Sequence, residues 1–556
     1  MPAKFPKDAS TVSRVSSPPA SPVLERRAVW IAVAAILVAS LRICATYTVF
    51  NHTSDEPNHI ACGIEWIQKG TYTFETQHPP LARVAAAIGP YLIGARTVGE
   101  VHHDTLGVPI EGSRILSRNH EYDLTLALAR LGILPFFWIA CLVVFWWARR
   151  LFGPAAGAVA VAFFSFLPPV LAHAGLATTD MALATFVGAA FVAAIVWVQE
   201  PTTRHAVLFG LASGLALLSK FSSIPFLPAC LGCALALYVV YERPRRDAIL
   251  AGARRALPSL GVAILVGLVV VWAGFRFSFG SPYPGMFPVP APELFTGLQA
   301  AMHHNQIGHH TYLLGQFSSH GFWYYYPVIL AVKTPLAFLA LAGFGLYLAI
   351  RKRGALPGIW QPLGLIAGVM AVGWYSRINI GVRHILPIYM GLSVLAAIGC
   401  LRLRQKPVLA ILLLWFAGSS LLAHPDYLPY FNELAGSQPE KIVVDSDLDW
   451  GQDIKRLSRR LHEVHADHIS FLSTLVASFY NEFHMPPITK QDPFSPAPGW
   501  NAVSVTFWKL GRLGLVHPLP DGSVLNDYPD RTLWPDTLPP GERVGKSIIL
   551  WNIVPK

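Results

Sequence analysis

A chain of 556 residues with 53% hydrophobic and only 13% charged residues is too apolar for an ordinary soluble domain, so the bilayer is its expected solvent. Its formal charge of +11 comes from short clusters of Lys and Arg between apolar runs rather than from one basic stripe, which excludes nucleic acid as the partner that explains it. The six cysteines do not form a disulfide framework, because Cys44, Cys141, Cys230, Cys233 and Cys400 lie in or beside apolar segments and only Cys62 falls in a loop. Inside such a run the Cys230-x-x-Cys233 spacing reads as two small packing residues rather than a redox or metal motif.

Residues 1–27, rich in Ser, Pro and Ala, read as a disordered cytosolic tail. The run from Ala28 to Phe50 is too long for a signal-peptide core and reads as a retained anchor. Spanning helices need about 20 mostly apolar residues. Eleven segments qualify: 28–50, 125–148, 155–174, 181–198, 205–219, 222–241, 256–275, 326–350, 358–376, 384–401 and 407–424. With the N-terminus inside, Arg26, Arg27, Arg149, Arg150, Arg204, Arg243, Arg245, Arg246, Arg254, Arg255, Arg351, Lys352, Arg353, Arg402, Arg404 and Lys406 all fall on the cytoplasmic side. An odd number of spans then places the C-terminus outside. The outer face receives residues 51–124, residues 276–325 and everything from 425 to 556.

Within the first outer loop, Leu81 to Ile93 is a short apolar stretch broken by Gly89 and Pro90, which predicts an amphipathic helix in the membrane interface. From Glu440 onward charges recur every few residues. K-I-V-V-D, H-I-S-F-L, A-V-S-V-T-F and S-I-I-L-W-N-I read as strands, and Gln452 to Val464 as a helix. The expected architecture is a polytopic α-helical membrane domain over 28–424 with a small extracytoplasmic α/β domain over 425–556.

The candidate chemistry lies on the outer side. The adjacent acids Asp55 and Glu56 follow the first apolar run, and Asp180 ends T-T-D at the mouth between the third and fourth spans. A carboxylate here is suited to act as a general base toward an acceptor whose co-substrate is held in lipid. Two acids alone are equally consistent with solvated loop residues. Cations change that weighting: Arg130, Lys220, Arg383 and His384 collect at the same face, and ionisable groups at membrane depth are costly unless they serve a partner. A polyprenyl-phosphate sugar meets every requirement, with its tail among helices, its phosphate against cations and its sugar facing an acceptor activated by Asp. Cationic stabilisation of the leaving phosphate replaces a protonating acid.

The order D-E at 55–56, H-P-P-L at 78–81, A-R-L at 129–131, T-T-D at 178–180, L-L-S-K-F at 217–221 and G-V-R-H-I-L-P at 381–387 resembles the membrane glycosyltransferases of the GT-C superfamily, and among them the protein O-mannosyltransferase and aminoarabinose-transferase group. The resemblance covers most of 28–424. It implies that Asp55 is the catalytic carboxylate, that Glu56 helps place the acceptor, and that Asp180 is a second acid in the cavity. It also implies that Arg130, Lys220, Arg383 and His384 contact the donor phosphate. His78, which stands where the aminoarabinose enzymes commonly carry a Lys before the Pro pair, joins the substrate-binding group. Transfer in such enzymes inverts the anomeric carbon and needs no bound nucleotide. The chain lacks the β-trefoil insertion of the eukaryotic mannosyltransferases.

His303, His304, His309 and His310 invite a metal reading, but adjacent His pairs rarely aim four rings at one ion, and a substrate-covering loop is the better expectation; no metal or other cofactor is predicted. D-S-D-L-D-W-G-Q-D at 445–453 opens like a calcium loop, yet Trp450 replaces the required Gly and Arg456 the required Glu, so helix capping is expected instead. N-H-T at 51–53 is a formal glycosylation triplet too close to the membrane for use. The expected function is an inverting glycosyltransferase of the plasma (inner) membrane that takes its sugar from a polyprenyl phosphate and acts on a hydroxyl of protein, lipid or glycan. The alternatives are a secondary transporter or flippase, for which neither internal repeats nor midplane charges are found, and a non-catalytic lipid-binding or assembly protein.

Overall fold

The computed structural model describes residues 21–98, 107–117, 121–351, 356–473, 483–489, 492–510 and 532–554. Most of the predicted N-terminal tail, and Lys352 and Arg353, lie outside these residues. The first helix, Pro22–Cys44, starts inside that predicted tail because Ser21 caps it, its side chain accepting from the Leu24 N–H at 3.3 Å, with Pro22 in the first turn. Ala28, Ala32, Ala35 and Ala39 form its buried stripe, while Trp30, Ile31, Leu37 and Leu41 point outward. A helix in water would show the reverse polarity on its outer face; this one is built for lipid.

All eleven predicted apolar segments are helical, but they are not eleven uniform spans. Five helices are individually long and apolar enough to cross a membrane: Pro22–Cys44, Tyr122–Phe152, Asp180–Gln199, Ser223–Glu242 and Arg246–Gly274. Two more segments are long and apolar enough only when a bent pair is taken together, Pro154–Phe166 with Pro168–Ala174 at 68° and Tyr325–Lys333 with Leu336–Arg351 at 117°. Both bends sit before proline. Leu167 and Thr334 take extended conformations ahead of Pro168 and Pro335, where the ring excludes the helical region. The expected continuous span 326–350 is therefore broken, and its first half turns away to carry Lys333 beneath the C-terminal residues. Thr203–Ser219, Trp360–Tyr375, Ile388–Arg402 and Lys406–Leu422 are shorter helices.

The apolar helices make this an integral membrane protein. The Arg149 to Glu25 ion pair at 2.9 Å and the Arg150 to Glu200 pair at 3.4 Å place three predicted cytoplasmic connections at one end of the bundle. Close helix crossings use small residues: a Cβ on Gly345 would lie 2.1 Å from the Leu395 carbonyl oxygen, and one on Gly399 2.1 Å from that of Leu341. Pro80–Leu92 is helical as expected, and packs Ala82, Ala86 and Ala87 between the helices Glu56–Lys69 and Tyr122–Leu131.

The C-terminal residues build a five-stranded mixed sheet in the order Ile488–Thr489, Ile469–Leu472, Gly499–Ser504, Ile548–Ile553, Glu542–Val544. The first two pairings are parallel and the last two antiparallel. Along Ile548–Ile553 the two faces separate with strand periodicity: Ile548 and Leu550 join the core continuous with the membrane helices, while Ile549 and Trp551 pack with Val503, Val505 and Trp534. Two expected strands are corrected. K-I-V-V-D forms 3-10 turns at Pro439–Lys441 and Asp445–Asp447, and A-V-S-V-T-F leaves the sheet after Ser504 to become the helix Val505–Leu510. The cause of the second is Asp449, whose carboxylate accepts from the Thr506 N–H at 2.9 Å and holds that helix start.

Because the Gly345 crossing leaves no room for a side chain while Gly343 on the same helix faces open space, Gly345→Leu is expected to destabilise the fold by about 1–3 kcal/mol and Gly343→Leu to be near neutral. Thermal unfolding of the two variants in detergent measures the difference.

Candidate active site

Four of the predicted residues form one array. Asp55 precedes the helix Glu56–Lys69, Asp180 opens Asp180–Gln199, Lys220 closes Thr203–Ser219, and Arg383 lies in the 3-10 turn Val382–Ile385. Arg383 Nη1 is 2.8 Å from Asp55 Oδ2 and 4.0 Å from Asp180 Oδ2, and Lys220 Nζ donates to Asp180 Oδ1 at 2.7 Å. The sequence of charges is acid, base, acid, base. Asp180 sits in a helix first turn, where backbone N–H groups favour an anion. Its side chain is 1% exposed against 38% for Asp55, so Asp55 is the carboxylate that a second molecule can reach.

Arg383 is also held by its Nε donating to the Ile380 carbonyl at 3.1 Å, and its guanidinium lies 4.1 Å from the centre of the Trp450 ring. His384 stacks on Tyr326 with ring centres 5.6 Å apart. Burial lowers the His78 imidazole, against the opposing pull of Glu75. The His78 ring therefore enters the site as a neutral hydrogen-bonding group, not as the cation a phosphate clamp needs. His78 belongs to a buried cluster in which its ring meets that of His59 at 5.4 Å, and Arg83 donates to His59 Nδ1 and the Tyr72 hydroxyl, each at 3.0 Å.

The structure separates Glu56 and Arg130 from this array. Both are fully buried and face each other in a bidentate pair, Nε to Oε1 and Nη2 to Oε2, each 2.9 Å. The remaining Arg130 donors reach the carbonyls of Tyr47 at 3.0 Å, Phe50 at 3.3 Å and Asn51 at 2.9 Å. Glu56 accepts from the N–H groups of Thr53 and Ala177, each at 2.8 Å. Burial alone would raise this carboxyl, but Arg130 overrides it and holds the group below its ordinary range. With every donor of Arg130 engaged, the geometry gives it a structural task rather than the expected contact to donor phosphate, and gives Glu56 no opening toward an acceptor. The pair joins the segment after the first helix, the start of the Asp55 segment and the turn that presents Asp180.

The segment Asp445–Asp453 contributes what the sequence reading did not anticipate. Capping was expected of these acids, yet Asp453, which precedes the helix Ile454–Glu463, makes no cap bond and instead accepts from the N–H groups of Lys546 at 2.9 Å and Ser547 at 3.1 Å. Asp447 Oδ1 accepts from the Val382 N–H at 3.0 Å, and Ser446 donates to the Ile380 carbonyl at 2.6 Å, so this segment supports the turn that carries Arg383. Lys333 Nζ, fully buried, donates to the carbonyls of Asp447 at 2.5 Å and Leu428 at 2.7 Å. Asp445 Oδ2 lies 3.5 Å from His309 Nε2, at the rim where the loop 276–325 meets the site. The signal available in the sequence was the density of acids around one Trp and one Gly. Their partners lie far away along the chain.

Among the described residues, no three His, Cys, Asp or Glu side chains gather closely enough to hold a metal ion. His304 instead pairs with Gln77 Nε2 at 2.5 Å. The Asn51 side chain is buried, donating to the Gly451 carbonyl at 2.6 Å and accepting from the Ile454 N–H at 2.8 Å, so its amide serves the fold.

Residues 127–273, which carry Arg130, Asp180 and Lys220, match the family described as dolichyl-phosphate-mannose-protein mannosyltransferase. No curated protein matches the chain by sequence. Among solved structures, ArnT from Cupriavidus metallidurans bound to undecaprenyl phosphate aligns over 93% of this chain and 97% of its own, with a TM-score of 0.52 and 15% identity. The chain shares the fold of ArnT. The apo form of the same ArnT aligns over 93% and 97% of the two chains with a TM-score of 0.51 and 13% identity. The apo oligosaccharyltransferase of Archaeoglobus fulgidus aligns over 86% of this chain and 63% of its own, with a TM-score of 0.41 and 14% identity. The resemblance read from the ordered motifs agrees with the family match over residues 127–273 and with the fold shared with ArnT.

Glu56→Gln leaves the buried Arg130 without its counter-ion and is expected to cost about 3–5 kcal/mol of stability. Thermal unfolding of the purified protein checks this, and Glu56→Gln combined with Arg130→Met is expected to recover part of the loss.

Proposed function

We propose that this chain is an inverting glycosyltransferase that moves a sugar from a polyprenyl phosphate to an acceptor hydroxyl at the outer membrane face. The observation that carries the reading is the Asp55, Arg383, Asp180, Lys220 array within a GT-C fold. ArnT, the protein of like fold, binds undecaprenyl phosphate, and the same class of carrier is the donor proposed here. The placement of the clustered Lys and Arg residues at the opposite end supports the outer face.

In this reading Arg383 and Lys220 receive the donor phosphate, and their charge stabilises the phosphate as it leaves the anomeric carbon. No protonating acid is needed, because the departing group is already a good leaving group. Asp55, the exposed acid, takes the proton of the acceptor hydroxyl as that oxygen attacks from the opposite face of the sugar. Asp180 keeps Lys220 aimed into the site. His384, and His78 as a neutral ring, offer hydrogen bonds to sugar hydroxyls or phosphate oxygens. The reading requires no resident cofactor, since the cations and the base are side chains of this chain.

Asp55→Asn is expected to lower transfer about 10²–10⁴-fold, the usual contribution of a positioned general base, while donor binding persists. Lipid mass spectrometry on cells expressing Asp55→Asn, or lacking the chain, is expected to show a glycosyl polyprenyl phosphate accumulating, whose mass identifies the sugar class. Full transfer activity in a folded Asp55→Asn protein removes Asp55 from the chemistry. Lys220→Gln is expected to weaken binding of undecaprenyl phosphate about tenfold, measured by titration in nanodiscs.

A further inference from the structure

Resting on the donor reading above, we infer that Trp450 is a positioning residue of the donor-phosphate site: its ring holds Arg383 while Asp55 and the phosphate exchange places on the guanidinium. In the structure Arg383 Nη1 is engaged by Asp55 at 2.8 Å. A phosphate that pairs with Arg383 competes with that carboxylate for the same edge. The carboxylate, in turn, has to leave the guanidinium to face an acceptor proton. Asp55 can leave, since its side chain is the exposed member of the array and makes no cap bond to the helix behind it.

What then holds Arg383 is the question that Trp450 answers. The Ile380 carbonyl secures only Nε, and Asp180 Oδ2 stands 4.0 Å from Nη1, outside hydrogen-bond range. The guanidinium carbon lies 4.1 Å over the centre of the Trp450 ring, a cation–π contact that occupies no oxygen acceptor and so places no second anion against the phosphate. This support does not compete with the ligand.

Trp450 is itself well placed to serve both partners. It is 4% exposed, its ring meets His173 edge-on at 6.5 Å, and its backbone N–H donates to Gln452 Oε1 at 2.8 Å. Its carbonyl accepts from the N–H of Ser54, the neighbour of Asp55, at 3.0 Å. One residue of the C-terminal part therefore ties the backbone of the base to the face of the cation.

The test is the binding of undecaprenyl phosphate to the full chain in nanodiscs, with thermal unfolding of each variant as a control for folding. Trp450→Leu is expected to weaken binding about tenfold, and Trp450→Phe, which keeps a ring face, to stay within about threefold of wild type. In an Arg383→Gln background Trp450→Leu is expected to change binding little, because the group it supports is gone. Asp55→Asn is expected to bind at least as tightly as wild type, the competing charge having been removed. An undiminished effect of Trp450→Leu in the Arg383→Gln background, or a Trp450→Phe protein as impaired as Trp450→Leu, overturns the inference. If Trp450→Leu does not fold, Trp450→Met takes its place in the same comparison. A folded wild-type chain that does not bind undecaprenyl phosphate overturns the donor reading itself, a result distinct from any of these.

Discussion

The pair between Glu56 and Arg130 is the constraint on which the site depends. A charged pair buried this deeply is not a source of net stability by default, since desolvation offsets much of its attraction. Its value here is placement. One carboxylate binds the N–H of Thr53, two residues before Asp55, and the N–H of Ala177, three before Asp180, while its arginine gathers carbonyls of the segment that follows the first helix. The two acids of the array are thus positioned by the same buried group.

The second constraint comes from the C-terminal part. Its sheet does not stand apart from the membrane helices: Ile548 and Leu550 share a core with them, and the segment Asp445–Asp453 reaches the turn of Arg383 through Ser446, Asp447 and Trp450. Lys333 is delivered to this junction by the bend at Thr334 and Pro335. A break in an apolar helix, which looks like a defect in a spanning segment, brings an ammonium group to the carbonyls that need it.

Much of the architecture was legible because its causes are local. Apolar runs near 20 residues, clustered Arg and Lys, and the Pro residues that break helices act within a few positions of themselves. The eleven helical regions followed from that, although their lengths and the two sharp bends did not. Asp55, Asp180, Lys220 and Arg383 were nominated from charge at helix ends, and the structure gathers those four. The same signal nominated Glu56 and Arg130, which the fold consumes in each other. Charge at a helix end shows that an ion must be satisfied, without saying whether a ligand or a second side chain satisfies it.

The sequence by itself determined the solvent, the helical segments, the compartment-like sorting of charge and the ordered motifs that resemble GT-C enzymes, because each is written in neighbouring residues. Only the tertiary structure decided which acid stays open, which cation is spent on a buried partner, and that Trp450 lies against Arg383. Those outcomes depend on contacts between residues tens to hundreds of positions apart, where packing and the cost of burying an unpaired charge, rather than residue type, select the partner.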